Sequence, residues 1–163
     1  HANRGRQQAD ETVEFSRAVD LAKLMTDEEE TMIVVSADHS HVMTYSGYPV
    51  RRNPVTGIGG RGSDGRPYET LAYANGPSYS QTFVNGERRN ITEDDFTTRR
   101  RIHQATVPLT SETHSGEDVS VYANGPWAHM LSGSYEQSVI PMVMAHAAGI
   151  GPFKIKFPID PHQ

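Results

Sequence analysis

An acid and two histidines stand close together in Asp38-His39-Ser40-His41, directly after the apolar run Met32-Ile33-Val34-Val35. At neutral pH aspartate offers a carboxylate oxygen and histidine an imidazole nitrogen, a donor pair that suits zinc. The apolar run is too short for a helix and too continuous for a strand with one wet face. It reads as a strand over 32–36 buried on both faces, typical of a parallel or mixed sheet covered by helices. In open α/β sheets, ligands lie just past the carboxyl ends of strands. Asp38, His39 and His41 fall at that place. A plain polar turn, with Asp38 as turn former and solvated histidines, accounts for the same residues. The cluster therefore needs support from elsewhere in the chain.

Of the eight histidines, two more are candidates for the same chemistry, His114 and His1. His114 lies in Ser111-Glu112-Thr113-His114-Ser115-Gly116-Glu117-Asp118. Small residues and glycine suit a loop that bends to present an imidazole, and flanking carboxylates can orient the ring. A polar loop before a strand explains the same local sequence. His103, His129, His146 and His162 carry no partner pattern and read as surface or satisfied core histidines.

The chain that must position these groups has 163 residues, enough for one domain with a core. A net charge of −5 and a pI near 5.9 argue against a general nucleic-acid-binding surface. The absence of cysteine excludes disulfides, thiolate metal sites and a thiolate nucleophile. No run approaches the roughly 20 apolar residues that a membrane span requires. The chain starts at His1 with no charged-then-apolar leader and reads as a piece of a longer protein.

Residues 7–25 are expected to be helical, because Phe15, Ala18, Ala22 and Met25, with Val19 beside them, form one apolar stripe. Asp10, Glu11 and Glu14 lie early, where a helix favours negative charge. The acidic run Glu28–Glu30 reads as a solvated loop. Residues 51–67 are rich in glycine and proline and predict a long loop. That loop lacks the Gly-Lys-Ser/Thr ending of a phosphate cradle. Residues 68–75 and 81–84 read as strands, with turns at Asn75-Gly76-Pro77 and Asn85-Gly86. Residues 91–101 read as a solvated helix or loop.

Asn90-Ile91-Thr92 is a glycosylation triplet; its use would place 85–92 at the surface of a secreted or cell-surface protein. Val119–Tyr122 reads as a further strand. The pentapeptide Tyr-Ala-Asn-Gly-Pro occurs at 73–77 and again at 122–126, which is too few copies for a repeat architecture. Both copies read as the same turn chemistry ending a strand. Ser134-x-x-Gln137 has capping-box spacing for a final helix to about Ala148. Pro141 should kink that helix or mark a later start. Residues 151–163 are expected to be an extended tail.

In this order, the segments resemble the C-terminal part of the alkaline phosphatases, most of all the animal enzymes. The resemblance rests on Ser36-Ala37-Asp38-His39-Ser40-His41, Gly47-Tyr48-Pro49, Asn75-Gly76-Pro77, Glu112-Thr113-His114-Ser115-Gly116-Glu117-Asp118-Val119, and Gly125-Pro126 with Ala128-His129 before Gly133. It implies an α/β fold, a three-layer α/β/α sandwich of which only the C-terminal part is present. Residues 1–45 would belong to that core, 46–110 to a loop-rich crown-type insertion, and 111–150 to the core again. It also implies two zinc ions per site and an auxiliary magnesium whose ligands lie mostly outside this chain. Asp38 and His39 would hold the zinc facing a serine nucleophile, and His1 and His114 the zinc that holds the attacking water. His41 would stand behind the ligands or on the phosphate side. Tyr48 matches a tyrosine at the dimer interface near the partner's active site.

The chemistry follows from those ligands. Two metal ions about 4 Å apart can clamp the attacking and leaving oxygens of an in-line phosphoryl transfer. A serine attack would leave a phosphoserine, cleaved in turn by hydroxide. The resemblance places that serine, the phosphate-binding arginine and the remaining carboxylate ligands upstream of this chain, so the 163-residue piece alone is expected to be inactive. The expected whole is a homodimeric, secreted or cell-surface hydrolase of phosphate monoesters, with a lipid anchor left open. Ser111 departs from the acid that some vertebrate members carry, and the C-terminal cysteines of those members are missing. Two other readings stand beside this one. One is a non-catalytic secreted or cell-surface glycoprotein module that keeps the fold. The other is a metal-dependent phosphodiesterase or phosphonoacetate-type hydrolase, disfavoured by the Glu112–Asp118 block.

Overall fold

The structure is a computed structural model, and it describes residues 1–153. The expected tail and His162 lie mostly outside the described residues; a short 3-10 turn covers Gly151–Phe153. The chain is α/β and divides into two compact units. One comprises His1–Arg17 and His39–Asp118; the other comprises Ala18–Asp38 and the chain from Val119 onward.

Helix α1 spans Gly5–Met25, starting two residues before the periodicity suggests. Its start is set by packing: a Cβ on Gly5 would lie 2.4 Å from Leu71 Cδ2, so only glycine lets the first turn press there. The apolar stripe is present but largely uncovered. Phe15 and Met25 are exposed, and Val19 and Ala22 are half-buried.

In the first unit, β2 (Ser40–His41) pairs antiparallel with β10 (His114–Ser115). A three-stranded sheet has the order β3 (Met43–Tyr45), β6 (Leu71–Gly76), β9 (Ala105–Pro108), with β3 antiparallel and β9 parallel to β6. Leu71, Tyr73 and Ala105 form its buried core, with Met43 packed against them. β4 (Ile58–Arg61) and β5 (Pro67–Glu69) form a hairpin inside the segment expected to be a loop. The strand expected over 68–75 is thus two strands, each paired to a different neighbour. The strand expected over 81–84 is also divided. Thr82 N–H donates to Ser78 O at 2.9 Å, closing the short helix α2 (Tyr79–Thr82) before β7 (Phe83–Val84) begins. β7 turns through Asn85 and Gly86, both at positive φ, into β8 (Glu87–Arg88), as the Asn-Gly signal requires.

In the second unit, β1 (Ile33–Ser36) pairs antiparallel with β11 (Val121–Asn124). This differs from the expected strand buried on both faces. Ile33, Val34 and Val35 are half-buried and Ser36 is exposed. β11 pairs along one edge of β1, and no third strand joins the ribbon among the described residues. Helix α3 spans Val139–Ala147, later than the capping-box start at Ser134. Pro141 lies in its first turn, where a missing N–H leaves no hydrogen bond unmade. Trp127 meets the ring of His146 edge-on at 4.4 Å between centroids.

Candidate functional site

The β2–β10 ladder does one specific thing: it sets His41 directly opposite His114. The chain entering β10 carries His1 with it, because the Glu112 N–H donates to His1 O at 3.0 Å. The nitrogens of His1, His41 and His114 that could take a metal lie within 4.8 Å of one another. His39 joins the group by stacking on His114, with centroids 3.5 Å apart. Four of the five residues expected to build or back the centre are therefore assembled in one unit. Asp38 is exposed, in the bend just after β1.

Hydrogen bonding decides which imidazole nitrogen faces outward. Nδ1 of His1 lies 2.6 Å from the Glu112 carbonyl oxygen, which can only accept. Nδ1 therefore carries the proton, and Nε2 carries the lone pair. Nδ1 of His41 lies 2.6 Å from Oε2 of Glu112, while Oε1 accepts the Val42 N–H at 3.0 Å. Glu112 is buried, so it acts as a fixed anchor. A carboxylate behind an imidazole fixes the ring and raises the basicity of its other nitrogen. His39 donates from Nδ1 to Ser40 O at 3.1 Å.

Two further groups bear on the electrostatics. Hydrogen bonds from Ser115 and then Ser40, the latter 2.7 Å from Oε2, hold the Glu117 carboxyl below its usual range. Glu117 stays ionised beside the ladder and favours a cation there. Tyr73 lies on the wall of a cavity of about 420 Å³, shared with His1, His41, Glu112, Arg4 and Glu11. Burial, and then the charge of Glu112, pushes the Tyr73 phenol well above its ordinary value. Its hydroxyl remains neutral across the physiological range.

The donor set fits zinc. Imidazole is a borderline ligand that zinc takes readily, and here three rings, His1, His39 and His41, hold the proton on Nδ1 and leave Nε2 for a metal. Aspartate and further carboxylates stand next to the cluster in sequence. Tyr48 is fully exposed. Asn90 is exposed, its Oδ1 accepting from the N–H and hydroxyl of Thr92 at 3.1 and 2.7 Å.

Two expectations need correction. The acids flanking His114 were expected to orient that ring, but Glu112 grips His41 across the ladder. His103 is not a surface or satisfied histidine. It is fully buried, neither ring nitrogen has a hydrogen-bond partner, and Nδ1 is 3.5 Å from Glu69 Oε2. Sequence reasoning also missed Asn3, fully buried two residues after His1. Its only local signal is an asparagine at positive φ, and φ is not legible in a sequence.

Comparison with known proteins bears on the chain as a whole. Residues 1–150 match the model of the alkaline phosphatase family. A tissue-nonspecific alkaline phosphatase of Gallus gallus is 47% identical over 154 residues, covering 93% of this chain and 29% of the relative. An alkaline phosphatase of Gadus morhua is 45% identical over 153 residues, covering 93% and 32% respectively. The Homo sapiens tissue-nonspecific isozyme is 44% identical over 153 residues, covering 93% and 29%. The chain thus spans about a third of the length of these relatives.

Proposed function

The chain belongs to the alkaline phosphatase family, and from that membership we propose that it forms the C-terminal, metal-binding part of a phosphate monoester hydrolase. The observation that carries this is the ladder that sets His41 opposite His114 with His1 alongside. In this assignment Asp38 and His39 hold one zinc, and His1 and His114 hold the other. His41, backed by Glu112, stands on the phosphate side. Bound zinc would polarise the phosphoryl oxygens and lower the pKa of a water ligand towards about 7. Glu112 keeps the His41 proton on Nδ1 and turns Nε2 outward. The neutral Tyr73 hydroxyl borders the same cavity and can donate a hydrogen bond there.

Overall, a phosphate monoester and water give an alcohol and inorganic phosphate. In this assignment the attacking serine and most of the magnesium ligands lie upstream of this chain. The finer architecture belongs to the same assignment: an α/β/α sandwich over 1–45 and 111–150, with a crown-type insertion over 46–110. So do a homodimer using Tyr48, a glycan at Asn90, and a secreted or cell-surface location with or without a lipid anchor. Among the described residues no helix is long and apolar enough to cross a membrane.

A second reading has an observation of its own. The mutual reach of His1, His41 and His114 within 4.8 Å would also suit one zinc held by three imidazoles. Zinc content of a His41→Ala variant separates the two. Loss of one zinc per protomer supports direct ligation, whereas full zinc with lowered turnover supports the phosphate-side role.

The main experiment uses the full-length protein. Asp38→Ala and His114→Ala should each lower bound zinc and hydrolysis of a chromogenic phosphate monoester together. Unchanged zinc in both variants would sink the ligand assignment. The 163-residue chain alone should show no turnover, and zinc-dependent turnover by it would overturn the division of labour. A full-length protein that folds but hydrolyses no phosphate monoester would favour the non-catalytic glycoprotein module.

A further inference from the structure

The repeated pentapeptide Tyr-Ala-Asn-Gly-Pro plays no part in the metal chemistry, yet both copies make the same kind of contact. The first ends β6. Asn75 Nδ2 donates to Thr113 Oγ1 at 2.9 Å, and Asn75 Oδ1 accepts the Thr113 N–H at 3.0 Å. Thr113 immediately precedes His114. The same turn also meets the segment behind His1. Asn3 Nδ2 donates to Asn75 O at 3.0 Å, and Asn3 Oδ1 accepts from the N–H and hydroxyl of Ser78 at 3.1 and 3.0 Å. The Asn3 carbonyl in turn accepts the His103 N–H at 2.8 Å. Gly76 has a φ of +138°, and a Cβ there would lie 2.2 Å from Asn3 Oδ1. Only glycine allows the turn and Asn3 to approach so closely.

The second copy ends β11 in the other unit. Asn124 Nδ2 donates to Glu28 Oε1 at 2.9 Å. Gly125 has a φ of +94°, and a Cβ there would lie 2.1 Å from Thr31 O. Thr31 lies two residues before β1, the strand that leads to Asp38.

The first copy therefore grips two segments that each deliver a candidate ligand. The gripped positions are near the ligands in sequence: Thr113 is one residue from His114, and Asn3 is two residues from His1. A displacement of either backbone at these points would carry an imidazole with it.

We propose that the first Asn-Gly-Pro turn is a positioning element of the metal centre, fixing His1 relative to His114. This rests on the metal assignment made above. Asn75 and Asn3 are positioning residues; neither is offered as a ligand. Loss of groups that orient metal ligands typically weakens metal binding about 10- to 100-fold.

The test measures zinc release to a competing chelator from the full-length protein, alongside the melting temperature of the zinc-free form. Asn75→Ala should release zinc about tenfold or more readily than wild type. Thr113→Val, which removes a single hydroxyl, should shift release in the same direction by less. Thr113→Ser restores the hydroxyl and should match wild type. The zinc-free melting temperature of Thr113→Val should equal that of Thr113→Ser. Wild-type zinc retention in Thr113→Val and Asn75→Ala would overturn the proposal, as would zinc loss that merely tracks a drop in zinc-free stability. If Asn75→Ala does not fold, the Thr113 pair decides. A wild-type protein that binds no zinc fails the metal assignment itself, and the control shows this without any variant.

Discussion

Glu112 and His41 are 71 residues apart in sequence, and their side chains meet at 2.6 Å between Oε2 and Nδ1. The carboxylate is buried behind the imidazole and is also held by the Val42 N–H. Candidate metal chemistry and the β2–β10 ladder are tied together at this pair, because the residue that orients one histidine lies two positions before the histidine opposite.

Glu112→Gln should reverse the tautomer of His41. The amide oxygen can still accept the Val42 N–H, but the NH2 group then faces Nδ1, which must become an acceptor. The proton moves to Nε2 and removes the outward lone pair. With His41 on the phosphate side, turnover of the full-length protein should fall while zinc is retained; with His41 as a direct ligand, zinc affinity should fall about 10- to 100-fold. Nitrogen-15 imidazole shifts should exchange between the two positions in the zinc-free form. Unchanged shifts would show that Glu112 does not set the tautomer. Glu112→Ala should in addition lower stability by about 1.5–3 kcal/mol, since it removes the carboxylate's hydrogen bonds to His41 and to the Val42 N–H, which keeps only the Thr113 carbonyl at 3.4 Å.

Arg101 and Glu69 form a buried pair outside the His1–His41–His114 cluster, with His103 Nδ1 3.5 Å from Glu69 Oε2. Nε and Nη2 of Arg101 lie 2.9 and 2.5 Å from Oε1, and Oε2 accepts the Gln104 N–H at 2.6 Å. The two side chains are 9% and 0% exposed, so removing one partner strands the other. Arg101→Ala should destabilise by about 3–5 kcal/mol in chemical denaturation, and a paired apolar replacement by far less. A single-variant loss below about 1 kcal/mol would place the pair with exposed ion pairs instead.

Acid should weaken the same region. The Arg89 hydrogen bonds, and then those from Arg101, hold the Asp94 carboxyl below its ordinary value of 3.8. The folded state thus binds the proton less tightly than the unfolded chain. The stabilisation is present above pH 3.8 and is lost as pH falls through the lower, folded value. The urea midpoint should drop between pH 5 and 2 by less in Asp94→Asn than in wild type. Identical slopes would remove Asp94 from the acid response.

Two glycines separate backbone strain from crowding. Gly65 has a φ of +74° with nothing within 4 Å of its would-be Cβ, so Gly65→Ala should destabilise by only about 1–2 kcal/mol. Gly76→Ala meets Asn3 Oδ1 as well, and overpacking of that kind adds about 1–3 kcal/mol. Equal denaturation midpoints for the two variants would mean that Asn3 yields without loss.

What the sequence determined by itself is local or chemical. The 3.6-residue period in Phe15–Met25 specified α1, and Asn85-Gly86 specified the β7–β8 turn. The donor types in Asp38-His39-Ser40-His41 and around His114 pointed to the metal chemistry proposed here. The order of these blocks named a family that comparison then bore out. Only the tertiary structure decided which groups meet. Residues 40–41 and 114–115 pair through two rungs of a ladder, and no local pattern encodes that register. Burial was misjudged for the same reason. Ile33–Val35 have the composition of a covered strand, but cover comes from neighbouring elements, and β11 lines one edge alone. His103 and Asn3 look like loop residues until segments distant in sequence close over them. Side-chain chemistry belongs to each residue, whereas burial, tautomer and register are relations between residues, and these arise only when the chain has folded.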